Sequence, residues 1–370
     1  MLERLYVHNY RCFENFELNL TGLSSALLIG RNGAGKSTVL SVLEIFQKIG
    51  RGTNRVGELV KSKDFSRAQR GLPMRFELEA KLAGQVFKYT LLLELPENFQ
   101  ELRVSEESLH INGHPIYDRK KATVILSKRP GEITEFNIDW HLIALPVVQT
   151  EKDGKGPLNN FREWLGRMLI LSPFPATIKG ESSEETLKPI KWGLNLADWL
   201  SGLLLHHPKS YSIIEDYLRQ VIPDFSEFRN EPTGKDSRNL IIVFSSENKK
   251  LTLDFKDLSD GEKCFFLSAV VLAANETYGP LFCFWDEPDN YLSMSEVGHF
   301  IIELRRSFAR NGGQIIATSH NQETILKFSD ENTLVLDRKS HLEPTRVKTL
   351  KEIDIEGDLL TSLVTGDLRL

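Results

Sequence analysis

Nine consecutive residues, Gly30-Arg31-Asn32-Gly33-Ala34-Gly35-Lys36-Ser37-Thr38, satisfy G-x-x-x-x-G-K-[ST] without a mismatch. That spacing suits the holding of a phosphate chain. Small residues let successive backbone N–H groups turn inward around an anion, and a helix starting at the lysine adds the partial positive charge of its first turn. Lys36 then reaches the β- and γ-phosphates. Ser37 puts its hydroxyl on Mg²⁺, whose other ligands are phosphate oxygens, waters and a carboxylate from elsewhere in the chain. The apolar run Leu281-Phe282-Cys283-Phe284-Trp285 ends in Asp286-Glu287-Pro288 and offers that carboxylate. Charges at the end of a buried strand are costly unless used. Asp286 fits the Mg²⁺ shell, and Glu287 fits a general base that polarises a water for in-line attack. His320, in Ser319-His320-Asn321 after the short apolar run 314–318, can sense a γ-phosphate and orient the water.

These residues need strands and helices to carry them. Residues 26–29 read as a buried strand, and 36–48 as a helix with one apolar face formed by Val39, Val42, Leu43 and Phe46, ended by Gly50. Short strands at 5–7 and 16–20 flank Asn9-Tyr10-Arg11-Cys12-Phe13. Residues 51–72 read as a mobile loop or connector. Its Arg51, Arg55, Lys61, Lys63, Arg67 and Arg70 are either a local basic patch or a solvated loop. Strand-like runs at 74–82, 85–95, 102–111 and 122–126, with turn signals at Ala83-Gly84 and Asn112-Gly113, predict an antiparallel meander.

Residues 149–160 read as a linker, and Pro173 and Pro175 stop regular pairing after 161–171. Helices are predicted at 194–205 and 211–221, with Trp192, Trp199 and Leu203-Leu204-Leu205 as core or lobe interface. Strands at 239–244 and 251–255 lead into Leu258-Ser259-Asp260-Gly261-Glu262-Lys263 and an apolar helix over 264–274. There Ser259 and Glu262 have the spacing of a capping box. A strand at 334–336, the stretch 347–353 and the acidic tail around Glu356 and Asp358 carry no chemical motif.

With 370 residues, 41% hydrophobic and 26% charged, the chain can bury a core that needs neither disulfide nor structural metal. Cys12, Cys264 and Cys283 are odd in number, lie in apolar surroundings and read as reduced core residues. His206-His207 is poor evidence for a metal site. The first residues lack the apolar region of a leader, and no window approaches 18 uninterrupted apolar residues, so a cytoplasmic protein without membrane association is expected. A net charge of -5 with interspersed signs gives no strong nonspecific attraction to phosphate polymers.

An N-terminal strand, then N-[FY]-R-x-[FY], a second strand and G-x-N-G-x-G-K-[ST] together resemble the ATPases related to RecF, SMC proteins and the overcoming-lysogenization-defect (OLD) family, one branch of the ABC ATPase class. The resemblance implies an α/β P-loop NTPase fold: an ABC ATPase head with a mixed central sheet, an antiparallel β subdomain and a small helical lobe. It implies ATP as substrate with Mg²⁺. Arg11 and Asn32 match positions that approach the nucleotide, a surface arginine and a turn asparagine being the other readings. Leu258-Ser259-Asp260-Gly261-Glu262 resembles the signature L-S-G-G-[QE], with Asp260 departing from the first glycine. His320 matches the switch histidine, and Asn290-Tyr291-Leu292-Ser293 matches the D-loop less well. The glutamine loop of the class has no clear place, Gln149 and the segment 171–175 being the two options.

In this class the signature helix of one copy completes the phosphate site of another, so ATP closes a head-to-head homodimer and hydrolysis reopens it. The expected divisions are an N-terminal ATPase lobe over 1–150, a helical lobe over 151–238, a C-terminal ATPase lobe over 239–345 and a tail over 346–370. No sustained heptad pattern separates Lys36 from Leu258, and few residues follow His320, so neither SMC coiled-coil arms nor a TOPRIM nuclease domain is expected. The resemblance then implies an ATP-driven switch controlling a protein effector, such as a nuclease or toxin, in antiphage defence. A RecF-like DNA-binding ATPase in repair is the alternative. A transporter subunit is disfavoured by the Asn-Tyr-Arg opening.

Overall fold

The computed structural model describes residues 1–129, 132–149, 156–247 and 249–353. Half of the expected linker, at 150–155, and the acidic tail with Glu356 and Asp358 lie outside the described residues. The chain groups into two compact units, one of residues 1–168 with the segment from Asp330, the other of residues 169–329.

The first unit begins with strands β1 (Leu2–His8), β2 (Phe16–Asn19) and β3 (Ser25–Ile29), then helices α1 (Lys36–Gly50) and α2 (Val56–Leu59). Six antiparallel strands follow: β4 (Met74–Leu82), β5 (Gln85–Glu94), β6 (Arg103–Ile111), β7 (His114–Lys120), β8 (Thr123–Arg129) and β9 (Glu132–Asn137), before helix α3 (Pro157–Arg167). With β1 and β2 they form one eight-stranded sheet in the order β2-β1-β4-β5-β6-β7-β8-β9. Two of its two-residue turns follow the sequence signals, because Ala83 and Gly84 (φ 48° and 81°) and Asn112 and Gly113 (φ 51° and 81°) supply the paired positive φ of a hairpin turn.

Strands β7 and β9 extend the expected meander. β7 escapes the alternation rule because two of its inward residues are Tyr117 and Arg119. Arg119 is paired with Glu107 at 3.3 Å, and both side chains are fully buried. Burial of an ion pair is costly unless every lone pair is met. Glu107 meets this condition, accepting from the hydroxyls of Tyr89 (3.0 Å) and Tyr117 (2.8 Å) and from the N–H groups of Ala144 (2.7 Å) and Leu145 (2.9 Å). Burial, then the Glu107 charge, pushes both phenols far above their ordinary pKa. The network thereby pins the segment after β9 to the sheet.

Three expectations change here. Residues 51–72 are an ordered connector, with Val56, Val60 and Phe65 buried and Asn9 Nδ2 donating to the carbonyls of Gln69 (2.9 Å) and Leu72 (2.7 Å). Two of its cations have partners elsewhere in the same unit: Arg51 donates to Gly166 O at 3.0 Å, and Arg67 pairs with Glu14. Gly50 is the last residue of α1 rather than its stop. A Cβ there would lie 2.5 Å from that of Leu165 and 2.8 Å from Arg162 O, so the glycine admits α3. The helix is ended by Gly52, at φ 104°, whose N–H donates to Ile49 O at 3.0 Å. The expected linker also stops short of Asn160, since α3 starts with Pro157 in its first turn.

The second unit contains β10 (Leu169–Leu171), β11 (Glu181–Ser182), α4 (Leu196–His206), α5 (Ser210–Val221), β12 (Phe225–Pro232), β13 (Arg238–Ser246) and β14 (Lys249–Asp254). After them come α6 (Asp260–Tyr278), β15 (Phe282–Asp286), α7 (Met294–Arg310), β16 (Gln314–Thr318) and α8 (Gln322–Leu326). β10, β15 and β16 are parallel, with β15 between the others, and β11, β12 and β14 pair antiparallel with β13. A continuous apolar run such as β15 is the pattern of a strand covered on both faces. The core gathers around α6, whose residues from Lys263 to Asn275 are all buried, with Phe266 edge-on to Phe228 and Phe255.

Trp199 is fully buried, a core residue as expected, and donates to Tyr278 OH at 3.2 Å, whereas Trp192 is 48% exposed and Leu205 56% exposed, so neither of these two is a core residue. All three cysteines are buried and free. Burial pushes the Cys264 thiol up to about 12.

The chain returns to the first unit with β17 (Thr333–Asp337), parallel to β3, and β18 (Arg346–Thr349), antiparallel to β17. Among the described residues no helix is long and apolar enough to cross a membrane.

Candidate functional site

β3 delivers the chain into the glycine-rich loop, and α1 leaves it. Close packing dictates two of the glycines. A Cβ on Gly30 would collide with the Leu336 carbonyl, and one on Gly35 would lie 2.9 Å from a Phe13 ring carbon, 3.1 Å from Cys12 Sγ and 3.1 Å from Thr345 Oγ1. Both also have positive φ, 150° at Gly30 and 113° at Gly35. Arg31, Asn32, Gly33 and Ser37 form an exposed rim, and Ala34, Gly35 and Lys36 a buried base, with Thr38 half-buried. Lys36 Nζ donates to the carbonyls of Gly30 (2.7 Å) and Arg31 (3.4 Å). No side chain caps α1, so its first-turn N–H groups suit an anion.

Arg11 is held at φ 51°, its guanidinium donating to Asp64 Oδ1 at 3.1 Å and to Ser41 Oγ at 2.9 Å. Ser41 Oγ in turn donates to Ser37 O at 2.8 Å, so Arg11 is anchored one helical turn past the loop. Asn9 of the same motif is the clamp on the connector described above, and Cys12 Sγ donates to Thr38 Oγ1 at 3.3 Å.

The acidic pair stands in the second unit, at the end of β15. The parallel register sets Asp286 opposite Thr318, and Thr318 Oγ1 donates to Asp286 Oδ1 at 2.7 Å while accepting from the Glu287 N–H at 3.0 Å. Ser172 Oγ donates to the other Asp286 oxygen at 3.2 Å. Glu287 adopts φ 50°, a conformation that costs a non-glycine residue about 1–2 kcal/mol. One of its carboxylate oxygens accepts from Asn290 Nδ2, and the other lies 3.7 Å from His320 Nε2. The next residue along the β16 end is used as well: Ser319 Oγ donates to buried Asp289 at 2.5 Å. Three consecutive residues, Thr318, Ser319 and His320, thus each face one of Asp286, Asp289 and Glu287.

Asp286, Glu287, Asn290 and Tyr291 line a cavity of about 450 Å³ with Ser172 and the exposed side chains of Phe174 and Trp192. Of the two glutamine-loop options, Ser172 in the segment 171–175 reaches the site acid, whereas Gln149 is exposed in the first unit. Leu258 is buried, and exposed Ser259 caps α6: its Oγ donates to Glu262 Oε2 at 2.7 Å and accepts from Glu262 N at 3.3 Å. A Cβ on Gly261 would lie 3.1 Å from Tyr291 O, so the turn at 258–262 packs on the segment 290–293.

Thr318 and Asp289 stand outside the motifs legible in the sequence, while Ser172 and Ser319 lie within quoted stretches that gave neither of them a role. Strand register is the one signal that could have found Thr318. Among the described residues no cluster of three or more His, Cys, Asp or Glu could hold a metal by itself. Taken separately, the Ser37 hydroxyl of the first unit and the hydroxyl-held Asp286 of the second are each an oxygen donor of the kind Mg²⁺ takes.

Two family models match separate parts of the chain: "AAA ATPase domain" over residues 1–93 and "AAA domain, putative AbiEii toxin, Type IV TA system" over residues 203–326. The galactose/methyl galactoside import ATP-binding protein MglA of Clostridium perfringens is 31% identical over 37% of this chain. The match spans 23% of the length of that relative. Among solved structures, the SmcHead bound to the C-winged helix domain of ScpA is similar at a TM-score of 0.55, with 12% identity, over 95% of this chain and 98% of that one. The Smc head domain with an extended coiled coil bound to the C-terminal domain of ScpA derived from Pyrococcus furiosus gives a TM-score of 0.53, with 12% identity, over 95% of this chain and 97% of that one.

Proposed function

We propose that this chain, with the fold of an ABC/SMC-like P-loop ATPase head, works as an ATP-hydrolysing switch that dimerises head-to-head on ATP and regulates a protein effector. The observation that carries the hydrolytic part is the Glu287 carboxylate, directly after Asp286 and held between Asn290 and His320. The backbone of the glycine-rich loop and Lys36 bind the β- and γ-phosphates, and Arg11, Arg31, Asn32 and Thr38 stand around them. Glu287 takes a proton from the attacking water, and His320 orients that water toward the γ-phosphorus. Ser37 and Asp286 would hold Mg²⁺, which supplies charge neutralisation at the phosphates.

The dimer reading is supported by exposed Ser259 at the start of the 19-residue helix α6, where a hydroxyl and a helix N-terminus can meet the γ-phosphate of a second copy. Triphosphate charge would then bridge two heads, and loss of the γ-phosphate would release them. The effector reading, in antiphage defence, is supported by the toxin–antitoxin description of the model matched over residues 203–326. It is also supported by Phe174 and Trp192, exposed beside the acidic pair. The four sequence divisions, 1–150, 151–238, 239–345 and 346–370, are retained as the functional lobes of this reading.

Glu287→Gln tests it. The variant should bind ATP, hydrolyse it at least about a hundredfold more slowly and accumulate as a dimer by light scattering. A wild-type protein that releases no phosphate sinks the ATPase reading, and an ATP-loaded variant that stays monomeric sinks the dimer. Capture with this variant from the native host should recover a nuclease or toxin, whereas duplex DNA would favour the RecF-like alternative.

A further inference from the structure

We infer that Thr318 is a positioning residue for hydrolysis, its single hydroxyl fixing the metal-side carboxylate and the general base with respect to each other. The inference rests on the ATPase reading above and adds to it a residue outside the phosphate loop, signature and switch motifs.

A hydroxyl has one proton to donate and lone pairs to accept with. Thr318 uses both, donating to Asp286 Oδ1 at 2.7 Å and accepting from the Glu287 backbone N–H at 3.0 Å. Thr318 is fully buried, and its β-branched side chain has little rotamer freedom. The parallel register that sets it opposite Asp286 therefore fixes where its oxygen lies. Glu287 needs such a fixture because φ 50° is a conformation that glutamate holds only when its surroundings demand it. An accepted N–H bond at that residue fixes the peptide plane from which the carboxylate departs. Loss of the bond lets the peptide relax toward ordinary φ and swings the carboxylate away from Asn290 and His320.

Two substitutions separate this role from packing. Thr318→Val keeps the side-chain volume and removes the hydroxyl; Thr318→Ser keeps the hydroxyl and leaves a methyl-sized gap. A packing role ranks Val above Ser in stability and activity alike, whereas the hydroxyl role ranks Ser above Val in turnover. The expected result is a kcat within about threefold of wild type for Ser and lowered about a hundredfold for Val, the scale of a misplaced reacting group. The ATP Kd should stay within about threefold in both, as binding belongs to the loop residues. Hydrogen–deuterium exchange supplies a readout independent of turnover: the Glu287 amide should exchange faster in Val and at the wild-type rate in Ser. Val turning over as fast as Ser, or unchanged protection of Glu287 in Val, overturns the inference. If the wild type itself hydrolyses no ATP, the ATPase reading falls, while the exchange comparison still decides whether Thr318 holds Glu287.

Discussion

The carbonyl oxygen of Leu336 occupies the space that a Cβ on Gly30 would need, so the first glycine of the phosphate loop is demanded by the sheet as well as by any ligand. β17 runs parallel to β3 with Val335 opposite Ile29, and Leu336 therefore arrives beside the residue that follows the strand. Gly33 contrasts with it: its φ is 82°, and nothing lies within 4 Å of an added Cβ. Gly30→Ala should cost about 3 kcal/mol or more from backbone strain and overpacking combined, and Gly33→Ala about 1–2 kcal/mol from φ alone. Urea unfolding of the two variants checks this. Equal midpoints would show that the Leu336 contact yields easily.

Glu77 gives the fold a calculable response to acid. Burial favours its neutral form, but the hydrogen bonds from Arg4 (2.7 Å) and Arg75 (2.6 Å) and the charges around them outweigh that and hold the carboxyl below its ordinary pKa. A carboxyl with a lower pKa folded than unfolded contributes stability that is present above the unfolded value, about 4.3. That contribution is lost as pH falls through the folded value. Glu77→Gln should therefore be less stable than wild type at pH 7, and the gap should narrow as pH drops from about 5 toward 3. A gap that stays constant across that range in unfolding titrations would mean that the two arginines do not act on the charge of Glu77.

What could be read from the sequence was local. The glycine spacing, the apolar run ending in Asp286 and Glu287 and the Ser259–Glu262 cap each lie within a few residues, and each stands in the structure as a loop, a strand end and a helix start. What escaped depends on partners far apart in the chain. Arg119 breaks the apolar alternation of β7 because its partner is Glu107 on β6, and Asn9 reads as a turn residue until the carbonyls of Gln69 and Leu72 are placed beside it. Thr318 lies 32 positions from Asp286, and only the β15–β16 register joins them. The segment 171–175 resisted assignment because the residue that reaches Asp286 is a serine rather than a glutamine.

Ser259 is the residue on which the cap and the proposed dimer compete. Its hydroxyl proton is given to Glu262 Oε2 at 2.7 Å, and that carboxylate also accepts from the Ser259 N–H at 2.8 Å. A phosphate oxygen from a second copy would have to take the proton over. Removing either partner destroys the reciprocal cap, so Ser259→Ala and Glu262→Ala should each lower stability by about 1 kcal/mol. Only the serine variant also removes the donor to phosphate. In a Glu287→Gln background, Ser259→Ala should weaken the ATP dimer by at least about tenfold, the scale of one lost hydrogen bond to a charged group. Glu262→Ala should leave the dimer as tight or tighter, since the hydroxyl is released and a negative charge near the phosphate is gone. Sedimentation equilibrium with ATP distinguishes the two. Equal dimer constants for both variants would reduce Ser259 to a helix cap and remove the in-trans role.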